Sequence, residues 1–214
     1  MRHTIALASL SLLLAASIAG SADAQRRRGL VDVSSSDERR GFWVNLGVGA
    51  GTESFRFDDT RSYSPGLTKP AFSLRMGGTV SQYFRLGAEV AGWVDRHYDS
   101  QAQENVTSYL GGLMLVGQYY PSRRAGLFFK GGMGLTRSGE SVGGGGGDLH
   151  EDGFGYTLGA GYEIKLNRSL AITPTIDILQ HRSQSRNGLL ALEPALHDRV
   201  LTIGVALTLQ SSGR

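Results

Sequence analysis

The sequence predicts an all-β protein, an eight-stranded antiparallel up-and-down transmembrane β-barrel. Three observations carry that expectation. Apolar residues alternate with small or polar ones in eight separate segments. The links between those segments alternate between short and long. Charged residues from several segments share the face opposite the apolar one. Composition sets the outer bounds. The 214 residues are 40% hydrophobic and 19% charged, with 31 Gly, 5 Pro and no Cys. Gly stands at about twice its usual roughly 7%, without a three-residue period, which excludes collagen. The lack of Cys removes disulfide scaffolds, thiolate metal sites and thiol catalysis. The formal net charge of +3 is too small to point to nucleic acid, and Lys69, Lys130 and Lys165 are the sole lysines among 22 basic residues.

Residues 1–24 read as a secretory signal. Arg2 and His3 open it, an apolar run centred on Leu12-Leu13-Leu14 follows, and Ala22-Asp23-Ala24 supplies a small-x-small cleavage pattern. The alternative is an uncleaved membrane helix, but the run falls short of the roughly 20 residues of a span. Residues 25–40 hold Arg26-Arg27-Arg28, Ser34-Ser35-Ser36 and Asp37-Glu38-Arg39-Arg40, with little apolar mass to bury. A flexible tail is expected there. The arginine run could touch anionic lipid or cell-wall material, with a solvated linker as the preferred reading.

Alternation starts after Gly41. Phe42, Val44, Leu46, Val48 and Ala50 interleave with Trp43, Asn45, Gly47, Gly49 and Gly51. Successive side chains on a strand point to opposite faces, so one face here is apolar and the other small or polar. Phe72, Leu74, Met76 and Val80 alternate with Ser73, Arg75, Gly77 and Thr79. Phe84, Leu86, Ala88, Val90 and Val94 alternate with Arg85, Gly87, Glu89, Trp93 and Asp95. The segment 109–120 carries apolar residues in both phases; Gln118 suggests that Met114 and Val116 share the inner face. Leu127, Phe129, Met133 and Leu135 face away from Phe128, Lys130 and Thr136. Phe154, Tyr156, Leu158, Ala160, Tyr162 and Ile164 face away from Thr157, Gly159 and Glu163. Leu170, Ile172, Pro174, Ile176 and Ile178 face away from Thr173, Thr175 and Asp177. Leu201, Ile203, Val205, Leu207 and Leu209 close the series. Each strand is expected to run about ten residues, the length that crosses a bilayer when tilted.

Two features favour a membrane barrel over a soluble sandwich or a lipocalin-like carrier with its apolar face inward. The links near 81–83, 121–126 and 165–169 are short, whereas those near 54–69, 96–105, 137–153 and 180–198 are long and polar. Outer-membrane barrels have short periplasmic turns and long extracellular loops, and an even strand number puts both termini in the periplasm. Arg75, Arg85, Glu89, Lys130, Glu163 and Asp177 all lie on the face opposite the apolar one, where three cations and three anions can neutralise one another in a lumen. A sheet in hydrocarbon must also close, because an open edge leaves N–H and C=O groups without partners. Aromatics gather near the expected strand ends, with Trp43, Tyr83, Phe84, Tyr119, Tyr120, Phe128 and Tyr162 toward the short turns. Phe55, Phe72, Trp93, Tyr109 and Phe154 lie toward the long links. Those that point outward would form interfacial belts.

Ala22-Asp23-Ala24, the strand rhythm, Tyr119-Tyr120-Pro121 at a short turn and the last strand over 200–209 together resemble the small eight-stranded outer-membrane barrels, the OmpA/OmpX-like and OmpW-like family, over residues 41–210. The resemblance implies a monomeric outer-membrane protein surrounded by lipid and lipopolysaccharide, inserted by the barrel-assembly machinery. It implies no cofactor and no nucleic-acid partner. Barrels of this family usually end on an aromatic residue, whereas here Leu209 is followed by Gln210 and a tail over 211–214 that leaves no room for a peptidoglycan-binding domain.

Further site candidates stand in the long links. Asp148, His150 and Asp152, after the glycine run 143–147, offer oxygen ligands to Ca²⁺ without the EF-hand spacing; a loop without metal is the preferred reading. Gly47-Val48-Gly49-Ala50-Gly51 lies inside a strand and does not open a helix, so it is no dinucleotide loop. His181-Arg182-Ser183 with Glu193 is similar to the His-x-Ser and later Glu of outer-membrane lipid A deacylases. Those residues would act as base, nucleophile and orienting group. Gln184 stands where that family carries Asn, and parity from Asp177 turns His181 and Ser183 to the lumen. The expected function is structural, adhesive or surface-binding through the four long loops. A narrow solute channel, a lipid-modifying enzyme and a soluble carrier are the alternatives.

Overall fold

The structure, a computed structural model, describes residues 39–57, 66–100, 103–142, 149–183 and 196–211. The signal reading, most of the 25–40 tail, Asp148 and Glu193 lie outside them. The strands are β1 (Phe42–Phe57), β2 (Leu67–Ser81), β3 (Phe84–Asp99), β4 (Glu104–Tyr119), β5 (Leu127–Val142), β6 (Leu149–Tyr162), β7 (Ile164–Lys165), β8 (Leu170–Ser183) and β9 (Leu196–Gln210). β7 continues β6 beyond Glu163, and the two pair with β8 in one unbroken register. They form a single stave, so the nine strands make an eight-stranded barrel. Every neighbouring pair is antiparallel, β1 pairs with β9, and β6 pairs with β8 to close the ring. Closure gives each ladder a partner on both sides, which a sheet in hydrocarbon requires.

The alternation decides which way the staves face. Leu46 pairs with Leu74 on β2 and Leu207 on β9, and Val48 with Phe72 and Val205. These cross-strand apolar clusters lie on the outer surface, where Leu46 is 58% and Leu135 70% exposed. Leu86 and Ile176 are exposed as well, while Arg85 and Glu163 are buried. Oily residues outside and ions inside invert the arrangement of a soluble barrel, and the lipocalin-like alternative does not survive it. Tyr83, Phe84, Tyr119, Phe129 and Tyr162 are exposed near the short turns, and Phe72 and Phe154 near the other end. Trp43, Trp93, Tyr120 and Phe128 point inward instead.

The strands are longer than the ten residues expected, most having 14 to 16. The alternation fades once both faces meet water, whereas antiparallel hydrogen bonding continues along the hairpin stems. Paired strand therefore extends into both ends of each long link among the described residues. β3 and β4, for example, stay in register out to Asp99 and Glu104. The ambiguous fourth strand is resolved with Met114, Val116 and Gln118 inside and Leu113, Leu115 and Tyr119 outside. Both its phases are apolar because the lumen itself contains an apolar layer at this level.

Candidate functional site: a layered lumen and an acidic mouth

Inward positions stack in four layers along the barrel axis. At the short-turn end, Arg85 on β3 reaches Glu163, the Tyr120 hydroxyl (2.9 Å) and Gln210 Oε1 (2.6 Å). Tyr120 stacks obliquely on Phe128, with ring centroids 5.4 Å apart. Arg39 enters from the chain preceding β1 and is 1% exposed. Its guanidinium donates to the carbonyls of Ser122, Arg123 and Ala125 in the turn before β5, and sits 3.9 Å over the Tyr120 ring. It also lies 3.8 Å from Glu163. By sequence, Arg39 belongs to the expected solvated tail. One arginine in a polar run carries no periodic signal, so nothing in the sequence marked it as the stopper of this end.

Above it sits a closed ring of four charges. Arg75 Nε donates to Glu89 Oε1 (2.7 Å) and Arg75 Nη2 to Asp177 Oδ2 (2.6 Å). Lys130 Nζ donates to both Glu89 oxygens at 2.8 Å and pairs with Asp177 Oδ1 at 2.8 Å. Each cation meets both anions, and the ring is neutral. The six lumen charges read from the sequence thus divide into this quartet and the Arg85–Glu163 pair. Four staves contribute one residue each to the ring, and Gly159 on a fifth makes room. A Cβ there would lie 2.1 Å from Asp177 Oδ1. The open space beside the ring is about 30 Å³, enough for about one or two water molecules.

The third layer is apolar. Ala71, Trp93, Leu110, Met114, Val116, Leu179 and Val200 pack together, and Trp93 Nε1 donates to the Gly51 carbonyl (2.9 Å). The fourth is polar again. His181 is fully buried, with Nδ1 2.7 Å from Thr136 Oγ1, and Asp95 pairs with Lys69 and with His97 (3.1 Å). Beyond it opens a chamber of about 520 Å³ lined by Glu53, Phe55, Tyr109, Glu140, Glu151 and Asp198, with His150 and Ser138 at its side. Thr52, Arg137, Asp152 and Arg199 succeed the outer apolar residues at this level, so the chamber lies past the membrane belt. Burial raises the Glu53 carboxyl to about 7, helped by the negative charges of Asp198 and Asp95. Burial also pushes Asp198 up, against a hydrogen bond from Ser138 that holds it down.

The other sequence candidates are not brought together. Asp152 is held bidentately by Arg137, at 2.6 and 3.0 Å, while His150 lines the chamber. Among the described residues no group of three metal-ligating side chains forms. His181 faces Thr136 inside the barrel, and the Ser183 backbone pairs with Gly153.

A family model described as the outer membrane protein beta-barrel domain matches residues 10–208. The chain belongs to that family. Outer-membrane β-barrel proteins reside in the outer membrane, which agrees with the exposed apolar belt. Among solved structures the chain is similar to Ail, the attachment invasion locus protein of Yersinia pestis, in complex with the heparin analogue sucrose octasulfate. Identity there is 9% and the TM-score 0.51, covering 78% of this chain and 99% of Ail. It is also similar to neisserial surface protein A, at 12% identity and a TM-score of 0.52, covering 80% and 97%. At these identities the likeness shows the fold. No curated protein matches the sequence.

Proposed function

We propose that this outer-membrane barrel is a closed membrane anchor whose working surface is the long-hairpin end, with a structural, adhesive or surface-binding role. The observation that carries this reading is the neutral Arg75–Glu89–Lys130–Asp177 ring, stacked between the Arg39 stopper and the Trp93 layer. A pore needs a continuous wet path. Here three successive layers of paired charge and packed side chains fill the cross-section. A barrel of eight staves has an interior about filled by its own side chains. The hairpin stems rise past the apolar belt on one side only, which supports orienting them to the cell exterior with both termini periplasmic. Lipopolysaccharide and phospholipid would then be the lateral partners, and a monomer suffices to cover every strand edge.

Two measurements test this. Purified protein in planar bilayers is expected to give no conductance above the lipid background, and discrete channel openings would overturn the closed-lumen reading. Intact cells displaying the protein are expected to adhere less to an extracellular-matrix-coated surface once the four hairpins are shortened to tight turns. Undiminished adhesion would remove the surface-binding role.

A further inference from the structure

We propose that the chamber at the hairpin end binds a small organic polycation, an aliphatic polyamine in chemical class. This deepens the surface-binding reading above and rests on the hairpin end being the working surface. Elsewhere in the lumen this protein balances its buried charges. Glu89 and Asp177 each meet two cations, and Glu163 meets Arg85 and Arg39. The chamber breaks that habit. Glu53, Glu140, Glu151 and Asp198 line it, and among the described residues none that lines it is a lysine or arginine. Asp198 is 3% exposed, and its Oδ2 has no hydrogen-bond partner. A buried carboxylate oxygen left without a donor costs free energy, so a donor brought from outside is favoured.

The geometry narrows the donor. The carboxylates grade from buried Asp198, through half-buried Glu53, to exposed Glu140 and Glu151 at the rim. That is a file of acceptors along a depth, and no three gather tightly enough to ligate a metal ion. A chain with ammonium groups spaced by methylenes matches such a file. Phe55, on an inward position of β1, lines the same chamber and offers apolar contact to the methylenes and a ring face to a cation. The volume of about 520 Å³ falls within the range of small-molecule sites.

The test is calorimetric titration of the folded barrel in zwitterionic-lipid nanodiscs with spermidine, at mildly alkaline pH and physiological ionic strength. Saturable binding at one site is expected. Asp198→Asn keeps the shape, removes the charge and should weaken binding about tenfold or more, because it removes a charge-assisted hydrogen bond. Glu140→Gln, at the solvated rim, should weaken it less and serves as a second variant should Asp198→Asn fail to show the heat-modifiable migration of a folded barrel. No saturable heat with wild type, equal affinity in both charge variants, or equally tight binding of Mg²⁺ would each overturn the proposal. The same preparation in planar bilayers keeps the two readings apart. Channel openings with spermidine bound would sink the closed-lumen reading alone, and silence without binding would sink the polyamine site alone.

Discussion

Arg75 and Asp177 are 102 residues apart in the chain, yet Nη2 of one lies 2.6 Å from Oδ2 of the other inside the barrel. The contact exists because β2 and β8 are both one strand removed from a member of the β1–β9 pair, and the closed sheet turns their inner faces toward each other. With Glu89 and Lys130 it makes a ring in which no charge is left alone.

Breaking that ring should be costly. Arg75→Ala leaves two carboxylates sharing Lys130, and removing one partner of a buried ion pair costs about 3–5 kcal/mol. Urea unfolding in lipid vesicles, followed by the gel migration of folded and unfolded forms, should show a midpoint well below that of wild type. A midpoint within error of wild type would mean that the ring contributes nothing.

Gly159 and Gly78 form a matched pair. A methyl at Gly159 would collide with Asp177 Oδ1, whereas at Gly78 it meets nothing within 4 Å. Gly159→Ala is expected to lose about 1–3 kcal/mol through forced displacement of the ring. Gly78→Ala should leave stability unchanged or slightly raised. The comparison is read from the two unfolding midpoints measured side by side.

Leu46 tests which medium the outer face meets. It is 58% exposed, and in water Leu46→Arg would be close to neutral. On the lipid face of a barrel the same change costs about 2–4 kcal/mol near the bilayer midplane. Reversible unfolding from vesicles distinguishes the two outcomes.

The mouth should respond to pH through Glu53, which faces Asp198 and Asp95, the latter paired with Lys69 and His97. Its folded value of about 7 lies above the ordinary carboxyl value of 4.5. The folded state therefore binds the proton more tightly than the unfolded chain does. The favourable contribution is fully present below 4.5 and is lost as pH rises through about 7. Amide protection at the end of β1, corrected for intrinsic exchange, should fall across that window in wild type. In Glu53→Gln it should stay flat. A Glu53 carboxyl that titrates near 4.5 by NMR would contradict the burial seen here.

The strand rhythm made the barrel legible from the sequence. A two-residue period that keeps one face apolar through eight segments, with long and short links in alternation, leaves few other folds. The same period put Arg75, Arg85, Glu89, Lys130, Glu163 and Asp177 on one face, because parity is a local property that each strand carries within itself. The partner of each charge was not local. Whether Arg75 meets Glu89, Asp177 or both depends on how neighbouring staves are staggered and on closure through β6 and β8, which no single strand records. Arg39 was invisible for a related reason: its partners are backbone carbonyls of a turn 83 to 86 residues away, and carbonyls leave no trace in residue identity. The acidic mouth was hidden as well. Glu53 stands at the end of the first segment, Glu140 and Glu151 share one long link, and Asp198 closes another, and each looks merely polar on its own. They become a chamber only when paired stems lift them above the membrane belt and the circle of strands brings them face to face.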